Sequence, residues 1–180
     1  MRKLTFLMSL FLMVFFSCEK EGLIGEDSIT RLKNNSREAQ MVPFTGEFIQ
    51  NICDNQLIPC SISGVFFPKY ICMEGRASQL GRVTDAQVEV LNCGPGEEPG
   101  SLTGETMGYF VSANGDTLKF SGISTVYADG TGSGQHLISG GSGRFEYACG
   151  EFEVSSYYDG NGVNYGSIYG HLCNLGRTTK

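Results

Sequence analysis

The 180-residue chain contains no tryptophan, two histidines and five prolines, and only 18% of its residues are charged. Each scarcity excludes something. His136 and His171 stand far apart, and the seven cysteines include no C-x2-C pair, so the usual zinc spacings are missing. Gly140-Gly141-Ser142-Gly143 lacks the lysine of a phosphate-binding loop and the spacing of a dinucleotide fingerprint, and reads as a hairpin turn. There is no G-x-S-x-G elbow to mark a serine nucleophile. Basic residues form no cluster, which argues against nucleic acid and anionic headgroups as partners. The missing tryptophan also weakens a sugar-stacking reading. From these absences the expectation is no catalytic residue, no metal and no cofactor.

What is present begins with Arg2 and Lys3, followed by an apolar run from Leu4 to Phe16. The run is too short for a permanent transmembrane helix and reads as an export signal. Its ending, Phe15-Phe16-Ser17-Cys18, resembles a bacterial lipoprotein signal, in which a small residue precedes a cysteine that is lipidated and becomes the new N-terminus. The resemblance implies that residues 1–17 are removed and that Cys18 carries acyl chains such as palmitate, anchoring the protein to the outer membrane of a cell envelope. More than one chain is needed for lasting attachment, since each buried methylene contributes only about 0.8 kcal/mol. Cys18-Glu19-Lys20-Glu21 resembles the lysine-plus-acid signal that sends lipoproteins of the Bacteroidetes to the outer face of that membrane. Asp27-Ser28-Ile29 and Asp116-Thr117-Leu118 resemble the short pattern those bacteria O-glycosylate. A hydrophilic tether and an ordinary turn account for the same residues, so surface and periplasmic facing both stay open.

Loss of the signal removes two of the 13 basic residues and none of the 19 acidic ones, leaving a formal charge of −8. Residues 18–41 are polar and charged and read as a flexible tether. Residues 42–176 are long enough to bury one core, and residues 177–180 form a short tail. The six cysteines beyond Cys18 are Cys53, Cys60, Cys72, Cys93, Cys149 and Cys173, an even number in an exported chain, which implies three disulfides. Pairing in sequence order gives Cys53–Cys60, Cys72–Cys93 and Cys149–Cys173.

From Pro43 onward, β-branched and aromatic residues occur in short runs divided by glycine-rich turns, an all-β signature. Strands are expected at Phe44–Gln50, Ser63–Met73, Gly81–Leu91, Thr103–Ser112, Thr117–Tyr127, Gly134–Ser139, Arg144–Tyr157 and Asn164–Cys173. Asn114-Gly115 matches the type I′ hairpin pair, and Asp159-Gly160-Asn161-Gly162 closes another hairpin. The latter begins like a calcium loop but has Val163 and Asn164 where a ligand and the turn glycine belong. Eight consecutive antiparallel strands bury both sheet edges by closing into an up-and-down barrel, and the many strand glycines permit the bends.

Three segments also carry a resemblance: Gly75 to Thr84, Ala113-Asn114-Gly115-Asp116, and Ile138-Ser139-Gly140-Gly141-Ser142-Gly143-Arg144-Phe145-Glu146-Tyr147-Ala148-Cys149-Gly150. Together they resemble small β-barrel proteins related to allene oxide cyclase and dirigent proteins. The resemblance spans roughly Phe44 to Cys173 and implies the barrel, but its motifs are turns and packing devices. Enzymes of the cyclase type use an acidic residue in the cavity, and no motif assigns that role to Glu105, Glu146, Glu151 or Glu153. His136 and His171 are expected to face solvent or a tyrosine. Barrels of this size are filled by side chains or hold one small ligand. The expectation is therefore a non-enzymatic envelope lipoprotein, structural or binding a small apolar or aromatic molecule near Tyr147, Phe120 and Phe145. The alternative is a cyclase-like isomerase or other small-molecule enzyme working through a buried carboxylate.

Overall fold

Alternation of large inward side chains with polar outward ones runs through eight long strands, and it closes them on each other. The computed structural model describes residues 40–161 and 163–176. The signal segment, Cys18, the tether with Asp27-Ser28-Ile29, and residues 177–180 lie outside the described residues. Glu38–Lys180 forms a compact unit. Its strands are β1 (Val42–Ile52), β2 (Leu57–Pro59), β3 (Phe66–Pro68), β4 (Tyr70–Ala77), β5 (Gly81–Val83), β6 (Asp85–Val90), β7 (Gly94–Pro95), β8 (Leu102–Val111), β9 (Thr117–Val126), β10 (Thr131–Gly141), β11 (Cys149–Tyr158) and β12 (Asn164–Cys173).

The sheet runs β1-β12-β11-β10-β9-β8-β6-β4, and pairing of β1 with β4 closes it into an eight-stranded antiparallel barrel. β5 and β6 act as one bent strand against β4: Gly75 pairs with Val83 and Cys72 with Gln87, a register slip of one residue that marks a bulge near Thr84. Closure leaves these eight strands no open edge and turns one face of every strand inward.

A small barrel must fit large rings on a tapering wall, and this one pairs rings with glycines. Phe44 and Phe152 both stand opposite Gly170, Phe48 opposite Gly166 and Gly75, Phe120 opposite Gly108, and His136 opposite Gly122. A Cβ at Gly166 would strike the Phe48 ring, and one at Gly170 would strike the Glu151 carbonyl and the Phe152 backbone. Gly166 and Gly108 thus leave space for neighbouring rings, whereas Gly75, Gly122 and Gly170 let the adjacent strand's backbone pass close.

One end of the barrel is filled. Phe44, Ala77, Leu80, Leu118, Phe145, Ala148 and Leu172 are buried there, and the 3-10 turn Gly143–Phe145 carries Phe145 into the plug. Arg144 donates to the Gln79 carbonyl and lies over the Phe145 ring, tying the plug to the β4–β5 turn. The expected strand from Arg144 thus starts only at Cys149. The hairpin at Asn114-Gly115 also departs from type I′. Gly115 is left-handed (φ 88°) while Asn114 is not, and Gly115 N–H donates to Ser112 O with Ser112 N–H donating to Asp116 O. This is a type I turn followed by a glycine bulge. The Ser112 hydroxyl, which donates to Asp116 O at 2.9 Å, holds the three-residue form.

The disulfides are Cys53–Cys72, Cys60–Cys93 and Cys149–Cys173. Pairing in sequence order fails for Cys53–Cys60 and Cys72–Cys93. The β1–β4 register sets Asn51 opposite Cys72, which brings Cys53 to Cys72. The expected strand Ser63–Met73 divides at Lys69 into β3 and β4, and β3 pairs with the unexpected β2 in a hairpin that carries Cys60 away toward Cys93, where Ser61 N–H also donates to Cys93 O. Cys149 and Cys173 face each other directly across β11 and β12.

Candidate functional site

Opposite the plug the barrel is hollow. A cavity of about 530 Å³ opens between the rings of Phe48, Phe110, Phe120 and Phe152 below and Ile52, Leu102, Val126 and Tyr158 at the rim, with Phe67 and Pro68 of β3 leaning over the mouth. Two disulfides stand beside this mouth: Cys53–Cys72 joins the ends of two wall strands, and Cys60–Cys93 fastens the β2–β3 hairpin. Among the described residues, none that lines the cavity carries a formal charge at neutral pH.

Uncharged polar side chains make up a large minority of this lining, and three of them, His136, Thr106 and Ser124, meet inside the barrel. His136 projects inward from β10, only 5% exposed. Its ring stacks on Phe152 with centroids 5.0 Å apart and meets the edge of Phe120 at 5.3 Å. Nε2 lies 3.1 Å from Thr106 Oγ1 and 3.4 Å from Ser124 Oγ, whereas Nδ1 is buried with no hydrogen-bond partner. Gly134, two residues earlier on the same strand, leaves room for this ring, because a Cβ there would lie 2.7 Å from His136 Cε1. Burial pushes the His136 pKa from its ordinary value down to about 4, so the imidazole is neutral at physiological pH. At the rim, Asn164 Nδ2 donates to Gln50 Oε1 at 2.8 Å and leaves Asn164 Oδ1 unpartnered.

The residues singled out from sequence separate here. Phe120 lines the cavity, stacked on Phe110 with centroids 4.8 Å apart. Phe145 is fully buried but belongs to the plug at the other end. Tyr147 is 41% exposed in the turn before β11 and lies outside the lining. The late tyrosines divide as well: Tyr157 and Tyr165 stack on each other on the outer wall and Tyr169 is exposed, which leaves Tyr158 as the one that reaches the mouth. Glu105, Glu146, Glu151 and Glu153 are all exposed. Their positions alternate with the inward residues, so the pleat turns Glu105, Glu151 and Glu153 to solvent.

His136 is the residue the sequence reading placed wrongly. The expectation of solvent or a tyrosine fails because Gly132, Gly134, His136 and Ile138 share the inward face of β10 and Leu137 is turned out. The signal was the run G-x-G-x-H-x-I, which loses its parity when both Leu137 and Ile138 are apolar. Asp159 accepts from the N–H groups of Asn161 and Val163 at 2.7 and 3.1 Å, using its carboxylate to build the turn.

No protein-family model matches the chain, and no curated protein matches it. Among solved structures it is similar to a pterocarpan synthase dirigent protein, with 15% sequence identity and a TM-score of 0.45, over 81% of this chain and 91% of that one. The barrel assignment rests on the strand pairing itself, and the functional reading rests on the cavity.

Proposed function

We propose that this chain is a non-enzymatic, lipid-anchored envelope protein whose barrel holds one small, uncharged, largely apolar molecule. The observation that carries the reading is the cavity of about 530 Å³, walled by aromatic and aliphatic side chains together with uncharged polar ones and no formal charge among the described residues. Ligand sites of soluble proteins have this size and composition. A purely structural barrel would be filled by side chains along its length, and this one is filled only at the plug end. General acid-base chemistry is poorly served by the lining. The four strand-associated glutamates lie outside it, and His136, with its pKa near 4, is a weak base at neutral pH.

Nile red, an uncharged dye without hydrogen-bond donors, tests the reading. All barrel strands, the core and the three disulfides lie within the compact unit Glu38–Lys180, so that segment is a suitable sample. Saturable, one-to-one fluorescence enhancement is expected. Val154→Trp fills space next to Phe152 and is expected to weaken binding at least about tenfold, near 1.4 kcal/mol. Binding that is absent, or indifferent to Val154→Trp, would count against an occupied barrel.

The anchor has its own test. Cys18→Ala is expected to leave an unprocessed precursor or to move the protein out of the membrane fraction. Wild-type protein that fractionates as soluble, with a free N-terminus elsewhere, removes lipidation from the proposal.

A further inference from the structure

The two ends of the barrel differ in charge. At the mouth, residues 53–69, 91–101, 127–130 and 159–161 carry Asp54, Glu97, Glu98, Asp129 and Asp159 against Lys69 alone. Lys69 already lies 3.6 Å from Glu89. Hydrogen bonds within their own turns hold the Asp129 and Asp159 carboxyls below the usual range, so both are ionised at neutral pH. At the plug end, residues 78–80, 112–116 and 142–148 carry only Asp116 and Glu146, with Arg144 4.0 Å from Asp116. The β4–β5 register sets Arg76 directly opposite Arg82, both exposed, at the base of the turn that Arg144 grips through the Gln79 carbonyl. Glu47 stands across from Arg76 on β1, but the ion pairs among the described residues are Lys69–Glu89 and Arg144–Asp116, which leaves the Arg76 and Arg82 guanidinium groups uncommitted. The sequence has no run of basic residues; the hairpin makes this pair.

The chain also enters the domain at the plug end. Val42 pairs with the buried Leu172 there, whereas Ile52 at the far end of β1 lines the mouth. Residues 18–41 can span at most about 80 Å, and tilted strands of this length give a barrel roughly 25 Å tall, so chain length permits either end to meet the lipid. Charge decides between them. Ile52, Leu57 and Phe66 are exposed around the mouth, but the carboxylates on the neighbouring turns would have to enter a bilayer with them and lose their hydration. Resting on the Cys18 anchor, we infer that the barrel stands plug end down on its own membrane, with Arg76 and Arg82 against headgroup phosphates and the mouth turned to the aqueous side. Arginine suits this surface because its planar fork donates two parallel hydrogen bonds to a phosphate. Like-charge repulsion turns the acidic mouth away from an anionic leaflet. The ligand then reaches the cavity from water and not out of the bilayer beneath.

The test is energy transfer from the full-length, lipid-modified protein to a trace of rhodamine-labelled lipid, in vesicles of phosphatidylcholine and phosphatidylglycerol. The donor dye is placed on Ala113→Cys in the plug-end turn or on Ala128→Cys in the mouth turn, both exposed positions, and the six cysteines of the barrel are paired and do not compete for it. With roughly 25 Å of strand between the labels, transfer is expected to be at least about twofold stronger from Ala113→Cys. Combining Arg76→Ser with Arg82→Ser, which removes no contact within the barrel, should narrow that difference. So should 1 M salt, where the screening length falls to about 3 Å. Equal transfer from the two labels, stronger transfer from the mouth, or a difference indifferent to both arginines would overturn the inference, while protein that stays with the vesicles upholds the anchor. Protein that does not stay with them overturns the anchor and the inference together.

Discussion

Reduction of the barrel with excess dithiothreitol is expected to unfold it at room temperature. Native bridges in exported domains each contribute roughly 2–5 kcal/mol, against a typical domain stability of about 5–15 kcal/mol. The three here close loops of 19, 33 and 24 residues, and two of them secure the hollow end, where packing does least to hold the wall. Loss of tertiary circular dichroism on reduction checks this. Removing one bridge should be survivable: Cys60→Ser with Cys93→Ser is expected to cost about 3 kcal/mol, which lowers the melting temperature by roughly 10 °C. That pair should also loosen the β2–β3 hairpin at the mouth and speed Nile red exchange. Peptide mapping is expected to recover Cys53–Cys72, Cys60–Cys93 and Cys149–Cys173, and a barrel that melts unchanged after full reduction would contradict their role.

The second large effect is acid sensitivity from His136. In the unfolded chain the imidazole titrates at its ordinary value of 6.5, while burial among Phe120, Phe152, Thr106 and Ser124 lowers the folded value to about 4. Between those two values the unfolded chain takes up a proton that the folded chain refuses. Stability is therefore complete above about pH 6.5 and falls as the pH drops toward 4. The loss amounts to about 2 kcal/mol at pH 5 and on the order of 3 kcal/mol by pH 4. Asp129 and Asp159, whose carboxylates are held below their usual range by hydrogen bonds within their own turns, protonate below this window and do not mimic it. Urea unfolding at pH 7 and pH 5 should show the drop in wild-type protein, and His136→Leu should flatten it. An unchanged pH profile in that variant would mean that His136 is already charged or solvated in the fold.

The barrel was legible because its signals are local. Glycine and Asx turns punctuate the chain every ten or so residues, and the alternation that puts Phe44, Phe48, Phe120 and Phe152 inward can be read along single strands. What could not be read depends on partners distant in sequence. Cys53 finds Cys72 through the register of β1 on β4, and Cys60 finds Cys93 because the β2–β3 hairpin carries it there, and no spacing rule encodes either. Phe120 and Phe145 look alike in sequence, yet one lines a void and the other plugs the far end. The cavity itself is the difference between where side chains reach and where they do not. His136 was expected on the wrong face because Leu137 and Ile138 are both apolar, so alternation alone does not say which of the two faces of β10 turns inward.

The most direct measurement is a crystal structure of Glu38–Lys180 grown with Nile red. Ligand density is expected inside the barrel, bounded by Phe48, Phe120, Phe152 and Val154. A barrel interior closed by collapsed side chains, with the dye stacked instead on the outer Tyr157–Tyr165 pair, would contradict the account.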